Sequence, residues 1–181
     1  MRILALILTG LMTALTAPAA SVPRPSPDFI MQRGSAPPLQ LSQFRGKIVA
    51  LVFAHTTCDY CQSLTRTLKV IQKDYAARNV KVVECVFEEG ANINYPIFLK
   101  AFQPSFATGY TTDAVVKKYL QWNDSRDGPL MVPYMIFIDV RGIIRGDFNG
   151  RDGFFTDADK RIRAQLTKMT KPAARPAAKK Q

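Results

Sequence analysis

Ile48–Ala54 is an uninterrupted apolar run rich in β-branched residues, and it leads within four residues into Cys58-Asp59-Tyr60-Cys61. From there to Arg78, Cys61, Leu64, Leu68, Ile71 and Tyr75 recur at three- and four-residue steps, while Arg66, Lys69, Lys73 and Arg78 fill other positions. That spacing predicts a helix burying one stripe. Val80–Phe87 then returns to a strand pattern. Strand, helix of about 20 residues and strand make a βαβ unit, so the two strands are expected to be parallel and adjacent. A first strand with no polar position reads as a central strand covered on both faces. The pattern calls for a parallel sheet core with a cysteine pair where a strand gives way to a helix.

Two thiols three positions apart at a helix start face the same way and can close a small disulfide. The helix N-terminus carries partial positive charge and free N–H groups, which favour a thiolate over a thiol. A strand feeding directly into C-x-x-C is the usual setting of a redox-active dithiol. A purely structural bridge is the competing interpretation, but so short a loop restrains the unfolded chain little and makes a poor staple.

The ends bound the working part. Arg2, the apolar run Ile3–Leu15 and Ala17-Pro18-Ala19 read as an export signal over residues 1–19, cleaved after Ala19. The apolar run of about 13 residues is short of the roughly 20 that a membrane span needs, although an uncleaved short anchor is the alternative. Export implies a bacterial periplasm or an equivalent oxidising space, where a dithiol either stays bridged or exchanges disulfides. Residues 20–38 hold Pro23, Pro25, Pro27, Pro37 and Pro38 without any period, and read as a Pro-rich lead-in. The domain is expected over 39–169, with a basic disordered tail over 170–181. The net charge is +11, and Lys168, Lys171, Arg175, Lys179 and Lys180 near the end supply five of those charges. The rest is a mildly basic body without the aromatic stacking face that nucleic-acid binding needs, so no nucleic-acid partner is expected. Membrane contact is expected only through the tail or an uncleaved signal.

Elsewhere Leu39–Leu41 reads as a short strand, Ser42–Lys47 as a turn, Asn92–Phe102 as a helix, Phe106–Tyr110 as a short strand and Asp113–Gln121 as a helix capped by Thr111 or Thr112. Asn123–Gly128 reads as a polar loop. Tyr134–Ile138 and Ile143–Asp147 flank the turn Asp139–Gly142 and predict an antiparallel hairpin. Thr156–Met169 closes the domain as a helix capped by Thr156.

This order, with Leu41–Val49, the C-x-x-C block, Val132-Pro133-Tyr134-Met135-Ile136-Phe137-Ile138-Asp139 and Arg141–Ile144, resembles the TlpA/ResA-like exported thiol–disulfide oxidoreductases over roughly Leu39–Met169. The resemblance implies a thioredoxin-like α/β fold, a central mixed β-sheet with helices on both faces. It implies reduction of client protein disulfides, with electrons from an upstream membrane or periplasmic donor and no cofactor beyond the Cys58–Cys61 disulfide. Cys58 is then the nucleophile and Cys61 the resolving thiol. Pro133 matches the family's cis-proline opposite the dithiol, leaving the Val132 backbone to pair with a client chain.

Several residues modify that picture. His55, the single histidine, lies three residues before Cys58 and either moves a proton or merely packs. The buried acid of many thioredoxins falls near Val52 and is absent. A glutamate after the next strand is matched roughly by Glu89, or by Glu88, and a carboxylate there would take the Cys61 proton during resolution. Asp59-Tyr60 between the cysteines contains neither proline nor histidine, and Asp59 disfavours a neighbouring thiolate, biasing the pair toward a reductant. Cys85, inside a strand, reads as a small buried hydrophobe. The competing functions are a thioredoxin-like copper-binding or chaperone module using both thiols and His55, and an AhpC/TSA-type peroxidase. Against the peroxidase, Phe53-Ala54-His55-Thr56 precedes Cys58 without that family's upstream proline.

Overall fold

The computed structural model describes residues 21–171. The expected signal and all of the tail beyond Lys171 lie outside them. In chain order the elements are β1 (Arg24–Pro25), β2 (Ile30–Arg33), β3 (Ala36–Gln40), β4 (Ile48–Ala54), α1 (Asp59–Tyr75), β5 (Val80–Val86), α2 (Ala91–Phe102), β6 (Ala107–Tyr110), α3 (Asp113–Leu120), α4 (Asp124–Asp127), β7 (Tyr134–Ile138), β8 (Ile143–Phe148) and α5 (Ala158–Thr170). They build one mixed sheet of order β1-β8-β7-β4-β5-β6-β2-β3. β4 and β5 are parallel neighbours, joined by α1, and β5 is parallel to β6. β7 runs antiparallel to β4, and β8 antiparallel to β7.

β4 is buried at every residue, and its period-two alternation divides the core. Ile48, Ala50, Val52 and Ala54 face a cluster with Leu64, Leu68 and Ile71 of α1, Tyr95 of α2 and Ile162 and Leu166 of α5. Val49, Leu51 and Phe53 face the opposite cluster with Val116, Tyr119 and Leu120 of α3, Phe29 and Met31. Helices therefore cover both faces, as the apolar run predicted. α1 buries the stripe Cys61, Leu64, Leu68, Ile71 and Tyr75 that its spacing marks out.

The Pro-rich lead-in is a correction: it belongs to the domain, which starts by Arg24 rather than Leu39. β1 pairs with β8 at one edge of the sheet, and the β2–β3 hairpin extends the other edge through β6. Prolines are tolerated there because an edge strand needs its N–H groups on one side only. Arg24, Phe29 and Met31 are buried, and Arg24 Nη2 donates to Asp147 Oδ2 at 3.0 Å. Three smaller differences are local. The strand read at Leu39–Leu41 is the end of β3, and Leu41–Phe44 is a 3-10 turn. The polar loop after Asn123 is the single helical turn α4, whose N–H groups the Asn123 side chain caps. Asp157, not Thr156, caps α5, after a 3-10 turn over Gly153–Asp157.

Candidate functional site

The carboxyl ends of β4 and β5 meet the start of α1 at one end of the sheet, where ligands of open α/β sheets usually sit. After Ala54 the chain makes a short turn in which the Cys58 N–H reaches the His55 carbonyl at 3.3 Å. Cys58 is the N-cap of α1, with extended backbone, and its Sγ accepts from the Cys61 N–H at 3.2 Å. The thiol thus occupies the place that a serine or aspartate oxygen takes in an ordinary cap, among otherwise orphaned helix donors. Cys58 is half-buried and free, and Cys61, one helical turn on, is free and only 1% exposed. Burial pushes the Cys61 thiol far up, with the hydrogen bond to Cys58 and the charges of Cys58 and Glu84 acting in the same direction. A backbone hydrogen bond at His55 opposes them. One thiol is accessible at the helix cap with a backbone N–H on its sulfur, and burial holds the other back as a thiol.

The neighbours separate into those that touch this turn and those that do not. Glu88 reaches it: its Oε1 accepts from the Thr56 N–H at 3.0 Å and from the Thr56 hydroxyl, while the Thr56 carbonyl accepts from Gln62 Nε2 at 2.8 Å. Glu88 therefore anchors the segment before Cys58. Glu89 is exposed and stands on the solvent side of the same corner. The His55 ring sits edge-on to Phe87, centroids 4.5 Å apart. Burial lowers the basicity of His55, against the opposing charges of Glu88 and Asp113. Asp59 lies in the first turn of α1 and Tyr60 is 80% exposed. On the β7 side the Val132–Pro133 peptide is cis. Val132 packs against both core clusters, and Gly150 lies so close that a Cβ there would stand 2.8 Å from the Val132 carbonyl oxygen.

One residue escaped the sequence reading. Glu84, in the middle of β5, is completely buried. Its Oε1 accepts from the Thr65 hydroxyl at 2.7 Å, its Oε2 has no partner, and burial pushes its carboxyl up to about 7. It is the register partner of Val52. The acid missing from Val52 thus has a counterpart one strand away. Parity was the available signal: Glu84 shares a strand face with Val80, Val82 and Val86, all buried. Cys85 points to the other face, is wholly buried, and burial followed by the Glu84 charge pushes its thiol well up. Among the described residues no group of three or more His, Cys, Asp or Glu is arranged to hold a metal ion. No helix among them is long and apolar enough to cross a membrane.

Residues 22–147 match the AhpC/TSA family. The chain belongs to that family. No curated protein matches it. Among solved structures it is similar to a thioredoxin-family thiol:disulfide interchange protein from Chlorobium tepidum TLS, at 22% identity and a TM-score of 0.64, covering 82% of this chain and 99% of that one. It is also similar to the thioredoxin domain of a thiol-disulfide oxidoreductase from Bacteroides vulgatus, at 14% identity and a TM-score of 0.66 over 84% and 99% of the two chains. A thiol:disulfide interchange protein from Bacteroides sp. aligns at 14% identity and a TM-score of 0.67, over 88% and 97%. These likenesses establish a thioredoxin-like fold for this AhpC/TSA family member.

Proposed function

We propose that this chain is an exported thiol–disulfide oxidoreductase that reduces disulfides of client proteins by dithiol exchange. The observation that carries the reading is the unequal cysteine pair: Cys58 half-exposed at the N-cap with a backbone N–H on its sulfur, and Cys61 buried behind it. Cys58 thiolate attacks one sulfur of a client disulfide, and the other client sulfur leaves as a thiolate and takes a proton. Cys61 then loses its proton and attacks Cys58 Sγ, releasing the first client sulfur. Two electrons pass to the client, and a Cys58–Cys61 disulfide remains for an upstream membrane or periplasmic donor to reduce. Val132 and Pro133 form the facing wall for the client chain, while Glu88 and His55 hold the turn that presents Cys58. Asp59 and exposed Tyr60 border the approach, and the Asp59 charge biases the pair toward a reductant. Glu89, exposed at the same corner, serves as a solvent-side proton carrier. The signal-like segment at residues 1–19 supports a periplasmic location.

Insulin-disulfide reduction with dithiothreitol, on wild type and Cys58→Ser, tests this reading. Acceleration by the wild type alone supports it, and a wild-type rate at background sinks it. Trapping with Cys61→Ala in extract should leave clients bound to Cys58 as mixed disulfides, which names them. Family membership gives the peroxidase reading a specific footing. Consumption of hydrogen peroxide by the wild type without insulin reduction would replace the present reading with that one. Stoichiometric Cu(I) uptake with neither activity would replace it with a copper-binding module.

A further inference from the structure

Glu84 is fully buried and takes no part in the exchange steps above. It lies in register between Val52 of β4 and Thr108 of β6, on the face of the sheet that α1 covers. The titratable groups around it are Cys61 on α1, Cys85 next to it on its own strand, and Tyr95 on α2, whose hydroxyl is held by Thr108. None is a cation, and among the described residues no salt bridge reaches it.

The Thr65 hydroxyl stands 2.7 Å from Glu84 Oε1 and 3.0 Å from the Cys61 carbonyl oxygen. A hydroxyl has one proton to donate, so these two acceptors compete for it. With Glu84 ionised, the proton goes to the carboxylate. The Cys61 carbonyl then loses its Thr65 bond, and a negative charge stands behind the Cys61 sulfur. With Glu84 protonated on Oε1, the acid donates to Thr65 Oγ1, and the Thr65 proton turns to the Cys61 carbonyl. Every proton in the chain Glu84–Thr65–Cys61 then has an acceptor, and the charge is gone.

We propose that Glu84 is a positioning residue for Cys61, whose protonation state, relayed by Thr65, sets both the hydrogen bonding and the charge at the resolving thiol. The inference rests on the reading of Cys58–Cys61 as an exchanging pair. Cys61 gives up its proton more easily while Glu84 is neutral. Ionised Glu84 destabilises a thiolate in the reduced pair and makes the protein more reducing. Burial brings Glu84 up to about 7, and the Thr65 bond opposes that rise. The change of state therefore falls where an exported protein works.

The test is the equilibrium of wild type, Glu84→Gln and Thr65→Val with glutathione as a function of pH, together with the infrared band of the buried carboxyl. Wild type and Glu84→Gln should coincide near pH 5.5, whereas at about pH 8.5 the wild type should hold its dithiol at least about threefold less favourably. The protonated-carboxyl band should fade around neutral pH in the wild type and be absent from Glu84→Gln. Thr65→Val, which removes the donor that favours the carboxylate, should move both changes to higher pH. Parallel equilibrium curves for wild type and Glu84→Gln overturn the proposal, as does a carboxyl band lost below about pH 5. A wild type that never equilibrates with glutathione overturns the exchange reading itself, and this role with it.

Discussion

Replacing Glu84 by Gln should alter stability in a way that depends on pH, and the size follows from its burial. The carboxyl sits at about 7 in the fold against an ordinary 4.5. Below the lower value both folded and unfolded chains carry the proton, and the residue contributes nothing to the pH dependence. Between the two values the unfolded chain releases the proton while the folded chain keeps it, so wild-type stability falls as pH rises. Above about 7 the loss levels off at about 3 kcal/mol, since each pH step between the two values costs about 1.4 kcal/mol. Complete burial leaves no solvent screening to reduce that figure. Glutamine removes the titration. Its second amide hydrogen lacks a partner beside the orphaned Oε2 position, but that cost is the same at every pH. The quantity to measure is therefore the wild-type-minus-mutant difference between about pH 4 and pH 8.5. Urea unfolding followed through Trp122, the single tryptophan, gives it, with reductant present throughout. Glu84→Gln should gain about 3 kcal/mol on the wild type across that range. Parallel stability curves would refute the argument that this carboxyl is neutral in the fold.

Other perturbations probe the corner that presents Cys58. Glu88→Ala removes the acceptor of the Thr56 N–H and hydroxyl and leaves a buried backbone donor unpaired. It should cost about 1–3 kcal/mol in urea unfolding, and a loss under about 0.5 kcal/mol would show that the bond is not needed. Gly150→Ala places a Cβ 2.8 Å from the Val132 carbonyl oxygen and 2.9 Å from its carbon. Backbone cannot yield as a flexible side chain does, so the change should cost about 1–3 kcal/mol. It should also slow insulin reduction by displacing the Val132–Pro133 wall, and unchanged stability and rate would contradict that.

Local pattern carried most of the fold. The apolar run of β4, the stripe of α1 and the return to strand in β5 specify a parallel pair with a crossover helix, and the pairing Ile48–Ala54 with Val80–Val86 is that unit. The hairpin β7–β8 was legible because Asp139 and Gly142 mark its turn. The edge strands were not. Proline hides strand character in residues 21–38; β1 finds its partner in β8, far along the chain, and the β2–β3 hairpin joins the main sheet through β6. At the site, Cys58 and Cys61 were legible from spacing. Glu88 and Glu89 are equivalent in sequence, but the direction in which the chain leaves β5 turns Glu88 to Thr56 and Glu89 to solvent.

By itself, the sequence determined that a thiol pair opens a helix between two parallel central strands, because periodicity and the nearest-neighbour geometry of C-x-x-C are local properties. Tertiary structure decided what surrounds that pair. The depth of Cys61, the grip of Glu88 on Thr56 and the carboxyl of Glu84 behind α1 all depend on which strands lie side by side. Burial is a long-range quantity, and it is burial that turns an ordinary glutamate in a strand into a group titrating near neutrality.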